Sequence, residues 1–455
     1  MLPPLFFSVR MPTLMALLWH KLFAENARSG LPHRGPMSII IFRLDAMGDV
    51  VLTTPLFREL KRAFPKSRCT VVVRSAFRPL LVTNPHIDEI LTPPEVKLFH
   101  LPQRVRNLIS AMLLYWRSLR GRRFDIAISP RWDVDEDLAT MLCLLTEATE
   151  RVGYTEKASP VKQRLNRGFD AAFSIRLPAG PVRHEVIRNL VVLEALGGTV
   201  QDSNLELRLT ERDRDFATRL LANLPVSTRL IALGIGAQSV GRRWPLQRYA
   251  ECVNRLAQQM SVQPIIVCSA GESEPALELA KLLNCEPIIL SGSPLRETCA
   301  VLEHCDLFLG NDSGSAHLAA AMGCRTIVIS RHPRDGDPNH SNSPLRFGPY
   351  CKTARVLQPA TGVDNCTGGC HVAEPHCIMA VSVDEVFAAA RKMLGSKPVI
   401  PHAEKAKRQV LLNFHPVSFN NHSLFLHSQR RWAAAREGSA LGGGAGKADA
   451  SLRSS

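Results

Sequence analysis

Three short stretches hold residues whose types and spacing could do chemistry. In RLDAMGDVVLTTP (residues 43–55) the carboxylates Asp45 and Asp49 flank a Gly-containing turn between an apolar run and a helical pattern. A carboxylate there can cap the helix, or it can act as a general base toward a hydroxyl. Gly48 would let a substrate approach the backbone closely. In GIGAQSVGRRWPLQRYA (residues 234–250) an apolar run ends in a loop with Ala237 and Gln238. Arg242, Arg243 and Trp244 follow, and Pro245 opens a helix. Backbone N–H groups of such loops hold phosphate oxygens, and Arg binds them bidentately. The Gly-x4-Gly-Lys-Ser/Thr spacing of a P-loop is absent. A surface turn with solvated arginines fits the same spacing.

The third stretch, GNDSGSAHLAAAMG (residues 310–323), turns a buried apolar run into a small, Ala-rich helix. Asp312 or Ser313 can cap it, leaving free N–H groups at Gly314 and Ser315. A helix N-terminus carries about half a positive charge and binds phosphate. Asp312 would repel phosphate alone. It makes sense beside hydroxyls, and hydroxyls beside a phosphate describe a nucleotide sugar. His317, one turn in, is in general more often a packed or solvated helix residue than a ligand.

Two further segments are weaker. RWDVDED (residues 131–137) follows an apolar strand pattern, and Asp133 is a candidate acceptor contact. A solvated helix start explains these acids equally well. CTGGCHVAEPHC (residues 366–377) offers Cys366, Cys370, Cys377, His371 and His376. The spacing C-x3-C-x6-C matches no standard zinc pattern, although a Cys3His set is chemically competent. No metal and no cofactor is expected.

The elements that must position these residues alternate. SIIIFRL, CTVVVR, HIDEIL and FDIAISP read as strands, with helical patterns between them. A loose basic stretch (156–182) and the helix HEVIRNLVVLEALG follow. A second series then runs through RLIALGI, PIIVCSA, PIIL, DLFLGN and TIVIS. The expectation is an α/β chain of two doubly wound halves with a hinge near residues 205–228. In such sheets ligands sit at the carboxyl ends of the strands, which places the site in the cleft between the halves. The expected units are a first domain over 37–205 and a second over 206–395. Residues 1–36 form an extension, for which translation from Met37 is an alternative. Residues 396–455 form a Gly/Ser/Ala-rich tail expected to be disordered.

Composition narrows the function classes. The net charge is +15, but residues 37–395 hold 43 basic and 37 acidic side chains, so the two ends supply more than half the excess. That balance suits an anionic substrate or membrane surface. It argues against a nucleic-acid role, because the terminal charge has no interleaved aromatics. No run of about 18 apolar residues predicts a spanning helix. The twelve cysteines, mostly inside apolar patterns, read as free thiols of a reducing cytoplasm.

Taken in order, RLDAMGDVVLTTPLFRELKRAFP, GRRWP and NDSGSAHLAAAMG resemble the glycosyltransferase family 9 heptosyltransferases, which add heptose to the lipopolysaccharide inner core. HEVIRNLVVLEALG is similar to that family's interdomain helix, and the likeness spans roughly residues 38–395. The resemblance implies a GT-B fold, two Rossmann-like domains facing a central cleft. It also implies inverting, metal-independent transfer from a nucleoside-diphosphate sugar, ADP-heptose foremost, to a lipid-linked glycan at the inner membrane face. Asp49 would be the base. Arg242 stands where the family has Lys and would neutralise the leaving diphosphate. Asp312 would hold sugar hydroxyls, Ser313 and Gly314 would offer backbone contacts to the diphosphate, and His317 would touch the phosphates or brace the loop. Ser315 and Ala316 depart from the family's usual Pro and Met or Leu, which alters the sugar pocket. Arg104, Arg106, Arg117, Arg120, Arg122 and Arg123 would face anionic lipid or a phosphorylated acceptor, or else form a solvated helix face. The competing readings are a GT-B nucleotide-sugar epimerase and a silent nucleotide-sugar-binding protein.

Overall fold

The structure, a computed structural model, describes residues 36–395 except 364, 365 and 367. The expectations for residues 1–35 and for the tail beyond Gly395 lie outside the described residues.

The first half is a six-stranded parallel sheet. Its strands are β1 (Ser38–Arg43), β2 (Arg68–Val73), β3 (Glu89–Leu91), β4 (Ile126–Ser129), β5 (Glu150–Tyr154) and β6 (Ile175–Leu177). Their order is β3-β2-β1-β4-β5-β6. Helices α1 (Met47–Ala63), α2 (Gln103–Leu114), α3 (Ala139–Leu145), α4 (Pro160–Leu165) and α5 (Glu185–Ala195) accompany it. The central strand β1 has Ile39, Ile40 and Ile41 wholly buried, as a strand covered on both faces requires. Pro55 stands inside α1 without a backbone donor; the Thr54 hydroxyl donates to the Val51 carbonyl at 2.8 Å.

The second half repeats the plan. Helix α6 (Glu211–Leu221) leads into β7 (Arg229–Gly234), α7 (Leu246–Ala257), β8 (Val262–Cys268), α8 (Ser273–Leu282) and β9 (Ile288–Ser291). Then come α9 (Leu295–His304), β10 (Leu307–Asn311), α10 (Gly314–Ala321), β11 (Thr326–Ile329), α11 (Pro344–Phe347), β12 (Ala354–Leu357) and α12 (Val383–Gly395). The order is β12-β11-β10-β7-β8-β9. Both sheets thus have the 3-2-1-4-5-6 arrangement, in which strand order reverses between the first and fourth strands. The loops after β1, β4, β7 and β10 line those two switch points, and all four stretches singled out for the cleft lie there.

Two expectations change. The loose stretch 156–182 contains β6, and β5 precedes it; both are short and lack a strong apolar run. The expected hinge 205–228 contains α6, a helix opened by a capping box between Thr210 and Asp213. Arg296 of α9 holds the Asp213 carboxylate.

The halves share one apolar core. Val51, Leu52, Val186 and Leu190 of the first half lie in the same buried cluster as Leu230, Ala316 and Leu318 of the second. Among the described residues no helix is long and apolar enough to cross a membrane.

Candidate active site

The base candidate sits where β1 hands over to α1. Asp49 is in the first turn of α1, and its Oδ2 accepts from the Ala46 N–H at 3.2 Å. Asp49 is therefore not the N-cap; it reaches back to the cap residue. Two arginines flank it, Arg43 at 3.6 Å and Arg131 at 3.8 Å, and both also pair with Asp45. Burial raises the Asp49 pKa above the usual aspartate value; Arg43 and Arg131 oppose that and Asp45 adds to it. A buried carboxylate with a raised pKa is suited to take a proton. Asn189 of α5 fixes this corner by donating to the Leu52 carbonyl at 2.9 Å.

Across the cleft, α10 points its N-terminus at α1. Ser313 is the N-cap, but its side chain makes no capping hydrogen bond. Its hydroxyl instead lies 2.9 Å from the Ser315 hydroxyl. A Cβ on Gly48 would stand 2.6 Å from the His317 ring, and one on Gly314 would strike Met47. The room at Gly48, expected to admit a substrate, is thus filled by His317. The two glycines let the helix starts meet. His317 is buried, its Nδ1 has no hydrogen-bond partner among the described residues, and burial lowers its pKa. That favours the neutral imidazole.

Arg242 closes the donor side. Its Nη2 donates to the Asp312 carbonyl at 2.8 Å and pairs with the Asp312 carboxylate at 2.6 Å. The structure so brings together Arg242, Asp312, Ser313, Gly314 and His317. Ala237 is buried and its carbonyl accepts from Arg243 at 3.1 Å, whereas Gln238 is exposed at the loop tip. Asn311, wholly buried, ties the loops together. Its Oδ1 accepts from the Trp244 N–H and the Tyr249 hydroxyl, and its Nδ2 donates to the Ile235 carbonyl. Sequence reasoning passed over Asn311; its signal was a large amide ending an apolar strand.

The acids of residues 131–137 divide. Asp135 accepts from the Ala139 and Thr140 N–H groups and so caps α3. Asp133, expected to contact the acceptor, is held bidentately by Arg346 of the second half at 2.6 and 3.1 Å. Arg346 is fully buried and also pairs with Glu185 at 2.6 Å. Asp133 is thereby an interdomain anchor. Asp137 instead faces a cavity of about 330 Å³, together with Leu44, Arg74, Phe99, Gln103 and Arg106. Burial pushes its carboxyl pKa up to about 6. Arg43, Arg131 and Asp137 lie inside the quoted stretches without a role of their own there, and Arg346 lies outside them, because a single charged residue carries no periodic signal.

At the far side of the donor loop, Cys366, Cys370, His376 and Cys377 bring their ligand atoms within 4.8 Å of one another. His371 is not among them; its ring lies 5.1 Å from that of His340.

Two doubly wound domains facing a cleft, with a buried carboxylate on one wall and a helix N-terminus on the other, are the architecture of the GT-B fold. The family model Glycosyltransferase family 9 (heptosyltransferase) matches residues 112–357. The chain belongs to that family and is a glycosyltransferase. It is 25% identical over 328 residues to the lipopolysaccharide core heptosyltransferase OpsX of Haemophilus influenzae, covering 71% of this chain and 84% of that one. A family 9 glycosyltransferase structure from Veillonella parvula superposes with TM-score 0.63 at 21% identity, covering 81% of this chain and 100% of that one. The ADP-heptose lipopolysaccharide heptosyltransferase II of E. coli gives 0.58 at 19% identity, covering 79% and 98%.

Proposed function

We propose that this enzyme moves a heptose-like sugar, with inversion and without a catalytic metal, from a nucleoside-diphosphate donor to a lipopolysaccharide-core-type acceptor. ADP-heptose is the first choice of donor, since two of the relatives named above are heptosyltransferases and one of these is named for ADP-heptose. The observation that carries this reading is the direct facing of α1 and α10 through Gly48 and His317. It supports a base at Asp49, the residue after Gly48, working near a helix start that would receive the diphosphate. Asp49 takes the acceptor hydroxyl's proton as that oxygen attacks the anomeric carbon from the face opposite the diphosphate, which inverts the centre. The leaving charge falls on the N–H groups of Gly314 and Ser315 and on Arg242, with His317 bracing the two helix starts. Asp312, steered by Arg242, accepts from sugar hydroxyls.

Thermal-shift screening of ADP-, GDP- and UDP-sugars tests the donor, because a ligand that binds only the native state raises apparent stability. An ADP-sugar is expected to give the largest shift. In Asp312→Ala that shift should shrink far more than the shift given by ADP alone. Equal losses for both would remove Asp312 from the sugar pocket. Conversion of the nucleotide sugar without acceptor would overturn transfer in favour of epimerisation.

The acceptor side also carries the features of a membrane-facing surface. Phe99 and Trp116 are 74% and 55% exposed. Arg106 lies over the Phe99 ring at 5.5 Å and Arg120 over Trp116 at 4.3 Å. Arg104, Arg117 and Arg123 are exposed on the same segment, while Arg122 is taken by Glu89 at 2.6 Å. Aromatic rings rimmed by arginines suit the interface of an anionic bilayer, and the cavity beside Asp137 opens next to them. The enzyme is expected to sediment with phosphatidylglycerol vesicles and not with phosphatidylcholine vesicles. Trp116→Ala should weaken that binding about tenfold, from the lost burial of one large ring. Unchanged binding would detach this face from the membrane.

A further inference from the structure

The cysteine-rich segment after β12 has no part in the transfer chemistry above, yet its side chains converge on one point. His376 Nδ1 lies 3.5 Å from Cys366 Sγ, 3.8 Å from Cys370 Sγ and 3.5 Å from Cys377 Sγ. One imidazole nitrogen carries either a single lone pair or a single proton, so hydrogen bonding accounts for one such contact and not three. A central cation accounts for all of them. With metal–sulfur bonds of about 2.3 Å and a metal–nitrogen bond of about 2.0–2.1 Å, a tetrahedron has sulfur–nitrogen edges of about 3.6 Å.

The surroundings fit a built site. Cys370 and Cys377 are buried, at 1% and 0% exposure. The Val363 N–H donates to Cys377 Sγ at 3.4 Å. Outer hydrogen bonds of this kind orient metal ligands. The described residues between β12 and Cys377 form no helix or strand, and a loop of that length inside a compact domain needs an anchor.

We propose that Cys366, Cys370, His376 and Cys377 form a closed, structural, tetrahedral site for a thiolate-preferring divalent cation, zinc in first place. Binding replaces the protons of the three thiols, which are released to solvent, and leaves His376 neutral. Four protein ligands leave no open position, so the ion organises backbone and does not touch substrate. What it organises is visible. Arg331 Nη1 donates to the Val372 carbonyl at 3.1 Å. The carbonyls of Val372 and Ala373 would stand 2.5 and 2.8 Å from a Cβ on Gly241. The metal-held loop therefore backs the turn that carries Arg242.

The test is elemental analysis of the full chain purified in reducing buffer without chelator. About one zinc or iron per chain is expected, released when a mercurial blocks the thiols. Cys377→Ser and His376→Ala should lose the metal, while Cys285→Ser should keep it. Wild-type protein stripped and reloaded with cobalt should show a thiolate-to-cobalt charge-transfer band and tetrahedral d–d bands. This arm needs no variant to fold. Metal-free protein that takes up neither zinc nor cobalt would overturn the proposal. So would a disulfide within residues 366–377, found by mass spectrometry after alkylation without reduction. None of these readouts depends on the sugar-transfer reading.

Discussion

Asp49→Asn is expected to lower kcat about 100- to 10,000-fold, the usual worth of a positioned general base. Donor affinity should barely change. Asn keeps the side-chain volume and an oxygen that can accept from the Ala46 N–H, so the start of α1 stays capped. What is lost is a carboxylate able to take the proton. The pH profile makes the role specific. Burial raises the Asp49 pKa and outweighs the lowering by Arg43 and Arg131. The base works only when ionised, so kcat/KM falls as pH drops through that raised value and holds above it. The acid limb should therefore lie above the range of an ordinary aspartate and vanish from the residual activity of the Asn variant. Wild-type-like turnover by purified, folded Asp49→Asn would remove it as the base.

Arg242→Ala is expected to cost about 100- to 1000-fold in kcat, the loss seen when one well-placed donor to a developing charge is removed. Both contacts to Asp312 are made by Nη2, so among the described residues Nε and Nη1 are left for phosphate oxygens. Arg242→Lys should recover only part of the rate, since a point charge cannot reproduce the guanidinium fork. A merely structural role, holding Asp312 in place, predicts something different. In that case Asp312→Ala and the double variant would be equally slow. If Arg242 meets the diphosphate, the double variant should be slower than either single one.

Much of this was legible in the sequence, for identifiable reasons. Strands such as SIIIFRL and DLFLGN are continuous apolar runs because a parallel sheet covered on both faces demands it. The strands named from such runs all formed. Strands β5, β6 and β12 were not expected, since each is short and interrupted by a charged residue (Arg151, Arg176 and Arg355). The α10 start was readable because Gly, Ser and Asp at a strand-to-helix turn have few other uses. Gly48 was given the wrong neighbour. Its need for space was plain, but that His317 fills the space depends on packing between halves, which no local pattern records. Asp133 shows the same limit, because its partner Arg346 lies 213 residues further along the chain. The convergence of His376 on three thiols was hidden for a simpler reason. The neighbouring pair Cys377 and His376 breaks the usual ligand spacing.

The shared core between the sheets bears on how the enzyme can work and be cut. Val51 and Leu190 are packed in one cluster with Leu230 and Leu318, and Arg346 is buried between Asp133 and Glu185. Severing the chain between the halves is expected to bare this apolar surface to water and leave the Arg346 guanidinium without its carboxylates, so the separated halves should be less stable than the whole. Wide bending about a hinge would incur the same loss in every turnover. Local rearrangement of the loops at the cleft rim would let donor and product exchange without that loss.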